Sequence, residues 1–373
     1  MMTRPRVSIV LPTYNGGCYI DGAIESCLQQ SERNWELIIV DDGSTDDTPR
    51  RIARYLGDSR IMAVRHEINR KLPAALNTGF ALSRGDYLTW SSDDNYYRPH
   101  ALSTMLRYLD AHPETDLVYA DYTRIDQGGR PIGDIRVSPP EALLHGNCVG
   151  PCFLYRRAVY EALGGYDERL FLVEDYEYWL RVSTRFRLTP LHENLYLYRT
   201  HSKSLTSRRQ ERIVTLADRV LLHYLPELFW ADRSMVARAF FSVGLRRMRM
   251  GTEKAVACMD RAMDGLDLVG RDRDFVVREL LYADSTTLHA EDEVESLLAR
   301  LAERYPAMRD LGRHVWAEYH TVRCYEAQRD GCPEQARRHL PLVLRRNPAR
   351  LRNRGFMRLA LWALAHREQG GTA

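Results

Sequence analysis

Two apolar runs in the first hundred residues each end beside a pair of acids: Leu37-Ile-Ile-Val-Asp-Asp42 and Asp86-Tyr-Leu-Thr-Trp-Ser-Ser-Asp-Asp94. Short runs that are rich in β-branched and aromatic residues and are followed by turn formers predict buried strands. Each acidic pair therefore follows directly on the end of a predicted strand. Where these carboxylates lie in space depends on how the two strands are arranged.

The surrounding sequence alternates between short strands and helices. The other strands predicted in this part are Val7–Leu11, Arg60–Val64 and Asp116–Ala120. Between them lie stretches of helical spacing, and Ser44 and Thr45 are predicted to cap the helix that carries Ile52, Tyr55 and Leu56. This order predicts an α/β fold with a mostly parallel, Rossmann-like sheet and helices on both faces. In such sheets ligands bind at the carboxyl ends of the strands, where both acidic pairs are expected.

The C-terminal part has a different pattern. From about residue 205 onward, apolar residues recur at helical spacing and strand signals are absent from the sequence. We therefore predict an α/β domain over residues 1–207 and an all-α domain over residues 208–373. Segments around Gly251 and Gly331 resemble tetratricopeptide helix pairs, and a plain helical bundle is the alternative. Oligomerisation, including a homo-oligomer, and acceptor or partner binding are the roles considered for this domain.

Composition excludes several classes of protein. The 373 residues carry a net charge of only +3, which gives no general reason to expect nucleic acid as a partner. The seven cysteines are scattered without a Cys-x-x-Cys pair, so neither a disulfide framework nor a zinc ribbon is expected. No apolar stretch has the length of a membrane span. We expect a cytoplasmic protein, either soluble or peripheral at the inner face of the membrane.

Six local sequences in order and spacing carry a resemblance to the family 2 glycosyltransferases of the GT-A fold. They are Val7-Ser-Ile-Val-Leu-Pro-Thr-Tyr-Asn15, Val40-Asp-Asp-Gly-Ser-Thr-Asp46, Asn77-Thr-Gly79, Ser92-Asp-Asp94, Gly150-Pro-Cys-Phe-Leu-Tyr-Arg156 and Glu174-Asp-Tyr-Glu-Tyr-Trp179. The resemblance implies inverting transfer of a sugar from a nucleotide diphosphate sugar, with UDP preferred, to a hydroxyl of a glycan, lipid-linked or other acceptor. It also implies a place in bacterial surface polysaccharide or glycoconjugate synthesis.

The family's Asp-x-Asp metal motif corresponds to Ser92-Asp93-Asp94, with Ser92 in place of the first carboxylate. By resemblance Asp94 binds Mn²⁺ or Mg²⁺, and Asp93 contacts the ribose or a metal-bound water. Such a cation neutralises the charge that grows on a departing diphosphate. From spacing alone, both acids could instead cap a loop before Pro99.

The resemblance assigns the nucleoside to the segment after the first strand and to the first acidic pair. It places Pro12, Thr13, Tyr14 and Asn15 at the donor, with Tyr14 beside the base. Asp41 or Asp42 contacts the nucleoside, although an Asp-Gly-Ser string is also a common turn and helix cap.

Basic and amide side chains complete the predicted donor site. Lys71 replaces a glycine of the family's loop and could touch the diphosphate; by itself it would be a solvated surface lysine. Asn77 lies in the third matching string. Near the end of the matching region, Arg199 is a candidate phosphate contact and His201 a candidate metal ligand.

The predicted general base lies on a later helix. Leu172, Tyr176, Trp179 and Leu180 form one apolar stripe, which leaves acids near the helix N-terminus, where the helix dipole favours an ionised carboxylate. By resemblance Asp175 is the base, and an N-cap is its alternative role. Glu174 and Trp179 are predicted to face the acceptor, although Trp179 fits equally well as a core residue.

Arginines 345, 346, 350, 352, 354 and 358 occur without an intervening acid and alternate with apolar residues. Such a segment can lie on an anionic membrane surface or form a solvated face over a helical core.

Among alternative functions, a non-catalytic nucleotide-sugar-binding scaffold stays open. A nucleotidyltransferase is disfavoured because the first strand is not followed by a basic, glycine-rich loop. A dinucleotide-dependent oxidoreductase is disfavoured because no Gly-x-Gly-x-x-Gly motif follows an early strand.

Overall fold

The structure is a computed structural model that describes residues 4–201, 209–249, 254–268, 270–282 and 291–365. The chain divides into two compact units, Met1–Trp230 and Ala231–Ala373. The boundary predicted at residue 207 lies outside the described residues. The helix that follows it belongs to the first unit, since Tyr224 Oη donates to Glu177 Oε1 at 2.6 Å and Trp230 Nε1 donates to the Ser183 carbonyl at 3.1 Å.

The first unit alternates strands and helices as predicted up to its fourth helix. In chain order the strands are β1 Val7–Thr13, β2 Trp35–Asp41, β3 Ile61–Arg65, β4 Tyr87–Trp90, β5 Tyr96–Tyr97, β6 Leu117–Ile125, β7 Pro131–Ile135, β8 Phe153–Arg156 and β9 Leu188–Arg199. The helices are α1 Ile20–Leu28, α2 Thr48–Ala53, α3 Leu72–Leu82, α4 Ala101–Ala111, α5 Arg157–Leu163, α6 Glu174–Ser183 and α7 Gln210–Tyr224.

The nine strands form one mixed sheet in the order β3-β2-β1-β4-β8-β6-β9-β5, with β7 beside β6. The part β3-β2-β1-β4 is parallel throughout, as the βαβα order predicts. Beyond it, β8 lies antiparallel between β4 and β6. The predicted fifth strand, β6, is therefore separated from the parallel part by a short strand from much later in the chain. Hydrogen-bonding between such distant segments leaves no local signal.

The prediction for the second helix was wrong in detail. Helix α2 begins at Thr48 and ends at Ala53, so Tyr55 and Leu56 lie beyond it. Ser44 does not cap it: its hydroxyl accepts a hydrogen bond from the Asn15 backbone N–H at 2.9 Å. The loop 43–47 is thus tied to the segment after β1, which delays the start of the helix.

Apolar residues on both faces of the sheet explain its stability. Strand β1 is buried along its whole length, as a central parallel strand with helices on both sides must be. On one face it packs with residues of α1 and α4, including Ile24 and Leu106. The other face includes an aromatic group in which Phe80, Tyr155 and Tyr178 are buried. The carboxyl ends of β1, β2 and β4 remain at one edge of this packed core.

The second unit is helical over its described residues. Its helices are α8 Arg233–Arg249, α9 Ala255–Met263, α10 Arg273–Tyr282, α11 Glu291–Arg304, α12 Met308–Arg329, α13 Pro333–Arg346 and α14 Arg354–Ala365. Gly331 joins α12 to α13 at φ +70°, a conformation that favours glycine. The segment around Gly251 lies outside the described residues, and the tetratricopeptide likeness stays a prediction. Within the described ranges, each helix falls short of the length or apolar character that crossing a bilayer requires.

Candidate active site

The parallel register brings the ends of three strands together. Thr13 at the end of β1 pairs with Asp41 at the end of β2, and Val10 of β1 pairs with Trp90, the last residue of β4. The segments that follow these strands therefore leave the same edge of the sheet. The two acidic pairs predicted from the sequence lie at this edge.

Asp93 is held against the segment that follows β1. The Thr13 hydroxyl donates a hydrogen bond to Asp93 Oδ2. Gly16 makes room for this carboxylate, because a Cβ at that position would overlap Asp93 and the Thr13 hydroxyl. Burial and the charge of the neighbouring Asp94 raise the pKa of Asp93 to about 7. The repulsion between these two neighbouring acids can be relieved by a proton on Asp93 or by a cation nearby.

Asp94 meets His201, which follows β9. Asp94 Oδ2 lies 3.0 Å from His201 Nε2, and both side chains are largely buried. This separation is that of a hydrogen bond or ion pair between the two side chains, and a carboxylate oxygen beside an imidazole nitrogen is also a donor set that could hold a divalent cation. Within the described residues no group of three or more His, Cys, Asp or Glu side chains could hold a metal. Any ion held by this pair would therefore need further ligands from phosphate or water oxygens.

Arg199 supports this pair, and its predicted role as a phosphate contact needs correction. Its guanidinium donates to the carbonyls of Asp94, Asp126 and Gln127 at 2.9 to 3.0 Å and to Tyr96 Oη at 2.5 Å. The side chain is buried. Four of its five N–H donors are engaged by the protein and the side chain is only 3% exposed, so Arg199 fixes the loop that carries Asp94.

The two acids of the first pair, Asp41 and Asp42, have different hydrogen-bond partners. Asp42 accepts hydrogen bonds from the Arg70 and Lys71 backbone N–H groups at 2.8 and 2.9 Å and contacts His66 Nδ1 at 2.7 Å. Asp42 is thus an anchor for the loop before α3. Asp41 accepts from the Ser44 N–H at 2.9 Å through Oδ1.

The second carboxylate oxygen of Asp41, Oδ2, lacks a hydrogen bond from any residue that the structure describes. Asp41 is only 2% exposed, and within the described chain its Oδ2 has no hydrogen-bond partner, although Arg65 Nε lies 3.3 Å away. A buried acceptor left in this state is unusual, because burial without a hydrogen bond is costly. Asp41, and not Asp42, therefore has a carboxylate oxygen whose hydrogen-bonding capacity the described residues leave unused, although that oxygen is paired with the Arg65 charge.

The segment after β1 also lies at this edge. Pro12 and Thr13 are the last residues of β1 and are buried, whereas the ring of Tyr14 is about half exposed. Asn15 adopts φ +55°, and its side-chain oxygen accepts from the Thr45 N–H at 2.8 Å. Tyr14 thus presents an open aromatic face, and Asn15 fixes the turn that carries it.

Lys71 occupies a backbone conformation that is nearly reserved for glycine. It has φ +77° and ψ 165° directly before α3, and its side chain is exposed. A residue other than glycine in this conformation costs about 1 to 3 kcal/mol.

Asn77 does not line the open edge. Its amide donates to the Tyr166 carbonyl at 2.9 Å, and its oxygen accepts from the Tyr166 N–H at 2.8 Å. Gly165 packs so closely that a Cβ there would overlap this amide. The prediction of a donor contact is corrected: Asn77 joins α3 to the loop that precedes α6.

Asp175 lies in the first turn of α6. Its Oδ1 accepts from the Tyr176 N–H at 2.7 Å, and its Oδ2 accepts from Asn147 Nδ2 at 2.8 Å. Despite these hydrogen bonds, burial raises the pKa of Asp175 above its usual value. The expectation that the helix dipole favours the ionised form of this carboxylate stays a prediction, and desolvation by burial acts against it. A carboxylate of raised pKa is a stronger base than a solvated one.

The two residues predicted to face the acceptor are both inside the protein. Trp179 is 0% exposed and packs edge-on against Phe153, with ring centroids 4.6 Å apart. Glu174 is buried and accepts from the Leu172 N–H at 2.6 Å, and burial with the Asp175 charge raises its pKa to about 8. Both assignments are corrected to structural roles, because neither side chain reaches an open surface.

A cavity of about 300 Å³ opens beside the predicted base. Its wall combines residues of β6, β7 and the loop 136–150, among them Tyr122, Arg136 and Asn147. Asn147 lies between this cavity and Asp175, to which it donates. The Tyr122 ring also packs edge-on against Tyr198, three residues before His201, with centroids 5.9 Å apart.

Sequence reasoning missed Gly16 and Asn147. Gly16 belongs to a Gly-Gly pair after the first predicted strand, a signal of close backbone approach. For Asn147 there was no signal, since an amide in a turn-rich loop is common and its partner is 28 residues away.

Comparison with known proteins supports a single family. The family model for glycosyl transferase family 2 matches residues 8–164. An uncharacterized glycosyltransferase of Rickettsia prowazekii is 32% identical over 217 residues, which cover 54% of this chain and 66% of that protein. The chain thus spans just under two thirds of that relative. The putative glycosyltransferase EpsE of Bacillus subtilis is 32% identical over 216 residues, which cover 56% of this chain and 78% of EpsE.

A solved structure has a similar fold. S. aureus TarS 1-349 in complex with UDP-GlcNAc superposes with a TM-score of 0.55 at 16% identity, over 87% of this chain and 92% of that one. The mixed sheet is therefore a GT-A-like sheet. EpsE matches at 32% identity over most of its length, and the family model matches the strands that carry the acidic pairs. This chain therefore belongs to glycosyl transferase family 2.

Proposed function

We propose that this protein transfers a sugar from a nucleotide diphosphate sugar, preferably a UDP-sugar, to an acceptor hydroxyl with inversion at the anomeric carbon. The observation that carries the proposal is the pairing of Asp94 Oδ2 and His201 Nε2 at 3.0 Å at the edge where the parallel strands end. We place this activity in the synthesis of a bacterial surface polysaccharide or glycoconjugate, and the similarity to the putative glycosyltransferase EpsE supports the sugar transfer itself.

Asp94 and His201 are the residues that would hold Mn²⁺ or Mg²⁺. A cation bound there supplies Lewis-acid stabilisation of the charge that develops on the departing diphosphate. Asp93, hydrogen-bonded to Thr13, carries the second charge of the motif and is placed to orient the ribose or a water. Ser92 stands where the motif has its first carboxylate. Asp94 is the acid of the motif that pairs with the histidine.

The nucleoside site is proposed between β1 and β2. The Oδ2 of Asp41, which among the described residues has an ion pair with Arg65 but no hydrogen bond, could accept one from a base N–H, and the exposed ring of Tyr14 can stack on the base. TarS, which shares the fold, was crystallised with UDP and with UDP-GlcNAc. These features favour a uridine nucleotide.

Asp175 is the proposed general base. The acceptor hydroxyl attacks the anomeric carbon as its proton passes to Asp175, and the bond from that carbon to the diphosphate oxygen breaks with its electron pair leaving on the diphosphate. The reaction is a single displacement, so the configuration inverts. Asn147 keeps the carboxylate in position through its hydrogen bond.

The cavity beside Asn147 is proposed as the acceptor site. Its volume of about 300 Å³ is at the lower end of the range for small-ligand pockets. Tyr122 offers a ring for packing against a sugar or other polyol. Glu174 and Trp179 of α6 do not take part, since both side chains are inside the protein.

Release of UDP from UDP-sugars, measured with and without Mn²⁺ and after treatment with EDTA, tests the proposal. We expect metal-dependent release that is lost in Asp94→Asn and His201→Ala. A non-catalytic sugar-nucleotide scaffold would instead bind the donor without turnover in the presence of any acceptor. Glu161→Gln, an exposed acid on α5, is the control and should keep wild-type turnover.

A further inference from the structure

The outer side of α14 combines exposed leucines with arginines. Leu361 and Leu364 are 60% and 58% exposed and lie three residues apart on the helix. Arg354 and Arg358 are also exposed. The positions 354, 358, 361 and 364 follow helical spacing, so all four side chains share one side of the helix. We call these four residues the arginine–leucine face.

The opposite side of α14 is part of the core of the second unit. Phe356, Leu359 and Ala363 are buried and pack with residues of α12 and α13. Asn353 caps the helix, since its side-chain oxygen accepts from the Phe356 N–H at 3.0 Å. The helix is therefore fixed by its buried side, and the arginine–leucine face stays on the surface.

Positive charge extends along the chain before this helix. Residues 345–365 contain six arginines and no acid. Arg350 is used internally by Glu318. In the described part of the chain, Arg352, Arg354 and Arg358 have no ion-pair partner. Leu351, in the turn before α14, is 45% exposed and adds a third open leucine.

We infer that the arginine–leucine face docks on the surface of a bilayer that contains anionic lipid. The arginines complement the negative headgroups, and the leucines can enter the boundary between headgroups and acyl chains. Arginine suits this boundary because its long apolar stem can lie along the leucines while the guanidinium stays in the headgroup layer. The inference is independent of the proposed transfer reaction.

Two other occupants fit less well. In a symmetric contact with a second copy of this chain, the same face would meet itself and bring arginines of like charge together. Nucleic acid would satisfy the arginines but leave the leucines against a polar surface. An anionic membrane satisfies both kinds of side chain.

Flotation of the full chain with vesicles tests the inference. The vesicles contain one part phosphatidylglycerol to two parts phosphatidylcholine, and vesicles of phosphatidylcholine alone serve as the reference. Arg354→Glu combined with Arg358→Glu should weaken binding to the anionic vesicles by about tenfold or more. Leu361→Ser combined with Leu364→Ser should weaken it by about tenfold without changing the charge.

The matched control reverses the charge of two other exposed arginines of the same unit, Arg278→Glu with Arg300→Glu. This variant has the same net charge as the first and should float like the wild type. Circular dichroism and UDP release in solution verify that each variant is folded. Absence of wild-type flotation, equal loss in the control, or binding to a DNA duplex in place of vesicles would overturn the inference.

Discussion

Asp94 and His201 are 107 positions apart in the chain, yet Asp94 Oδ2 lies 3.0 Å from His201 Nε2. Asp94 follows β4 in the parallel part of the sheet, and His201 follows β9, which belongs to its mixed part. The pair thus forms only when both parts of the sheet are assembled. Arg199 fixes the geometry by donating to the Asp94 carbonyl at 3.0 Å.

Removing the negative charge of the proposed base should block turnover and spare donor binding. In Asp175→Asn the amide cannot accept the proton of the acceptor, so kcat should fall by about 10²- to 10⁴-fold. The Kd for UDP, measured by calorimetry, should stay within about twofold. Unchanged turnover would remove Asp175 from the mechanism.

The pH dependence should report the Asp175–Asn147 hydrogen bond. Because burial raises the pKa of Asp175, the base loses activity as the pH falls through a value above the usual 3.8. The Asn147 amide stabilises the charged form and so lowers this pKa. In Asn147→Ala the acid limb of the kcat profile should therefore move to higher pH. A limb that stays in place, or moves down, would contradict the proposed link.

Two substitutions at Lys71 separate its backbone strain from its charge. Lys71→Gly relieves the φ of +77° and should raise the free energy of unfolding by about 1 kcal/mol. Lys71→Ala keeps the strain and should leave stability almost unchanged. If the ammonium contacts the diphosphate, both variants should show the same rise in KM for the donor. A rise in KM for neither variant would make Lys71 a surface lysine.

Gly16 should be essential to the position of Asp93. In Gly16→Ala the added methyl group overlaps the Asp93 carboxylate and the Thr13 hydroxyl, so one of them must move. We expect donor affinity to fall by about tenfold and stability by about 1 to 3 kcal/mol. Gly57→Ala is the control, because a Cβ there meets nothing within 4 Å. Equal effects of the two changes would contradict this role.

The parallel half of the sheet could be predicted because its signals are local. Strands such as β1 and β2 are continuous apolar runs, and the helices between them repeat at helical spacing. The place of β8 could not be predicted, since its partners Tyr87 and Leu117 lie far away in the sequence. The same limit applies to α2, whose start depends on contacts between Ser44 and Asn15.

For the site, residue type and strand position indicated Asp41 and Asp94, and helix position indicated Asp175, but these signals alone could not separate the three acids from their neighbours. Asp41 and Asp42 are adjacent acids, and only tertiary contacts show that Asp42 is occupied by the loop before α3. Arg199 and Trp179 were misassigned because a sequence shows what a side chain can bind, not whether it is already buried.

The most direct test of the central claim is anomalous diffraction from crystals soaked with UDP and Mn²⁺. We predict a manganese peak between Asp94 Oδ2 and His201 Nε2, with the uracil beside Asp41 and Tyr14. A nucleotide bound at another part of the sheet, or bound at this edge with no manganese next to Asp94, would contradict the account.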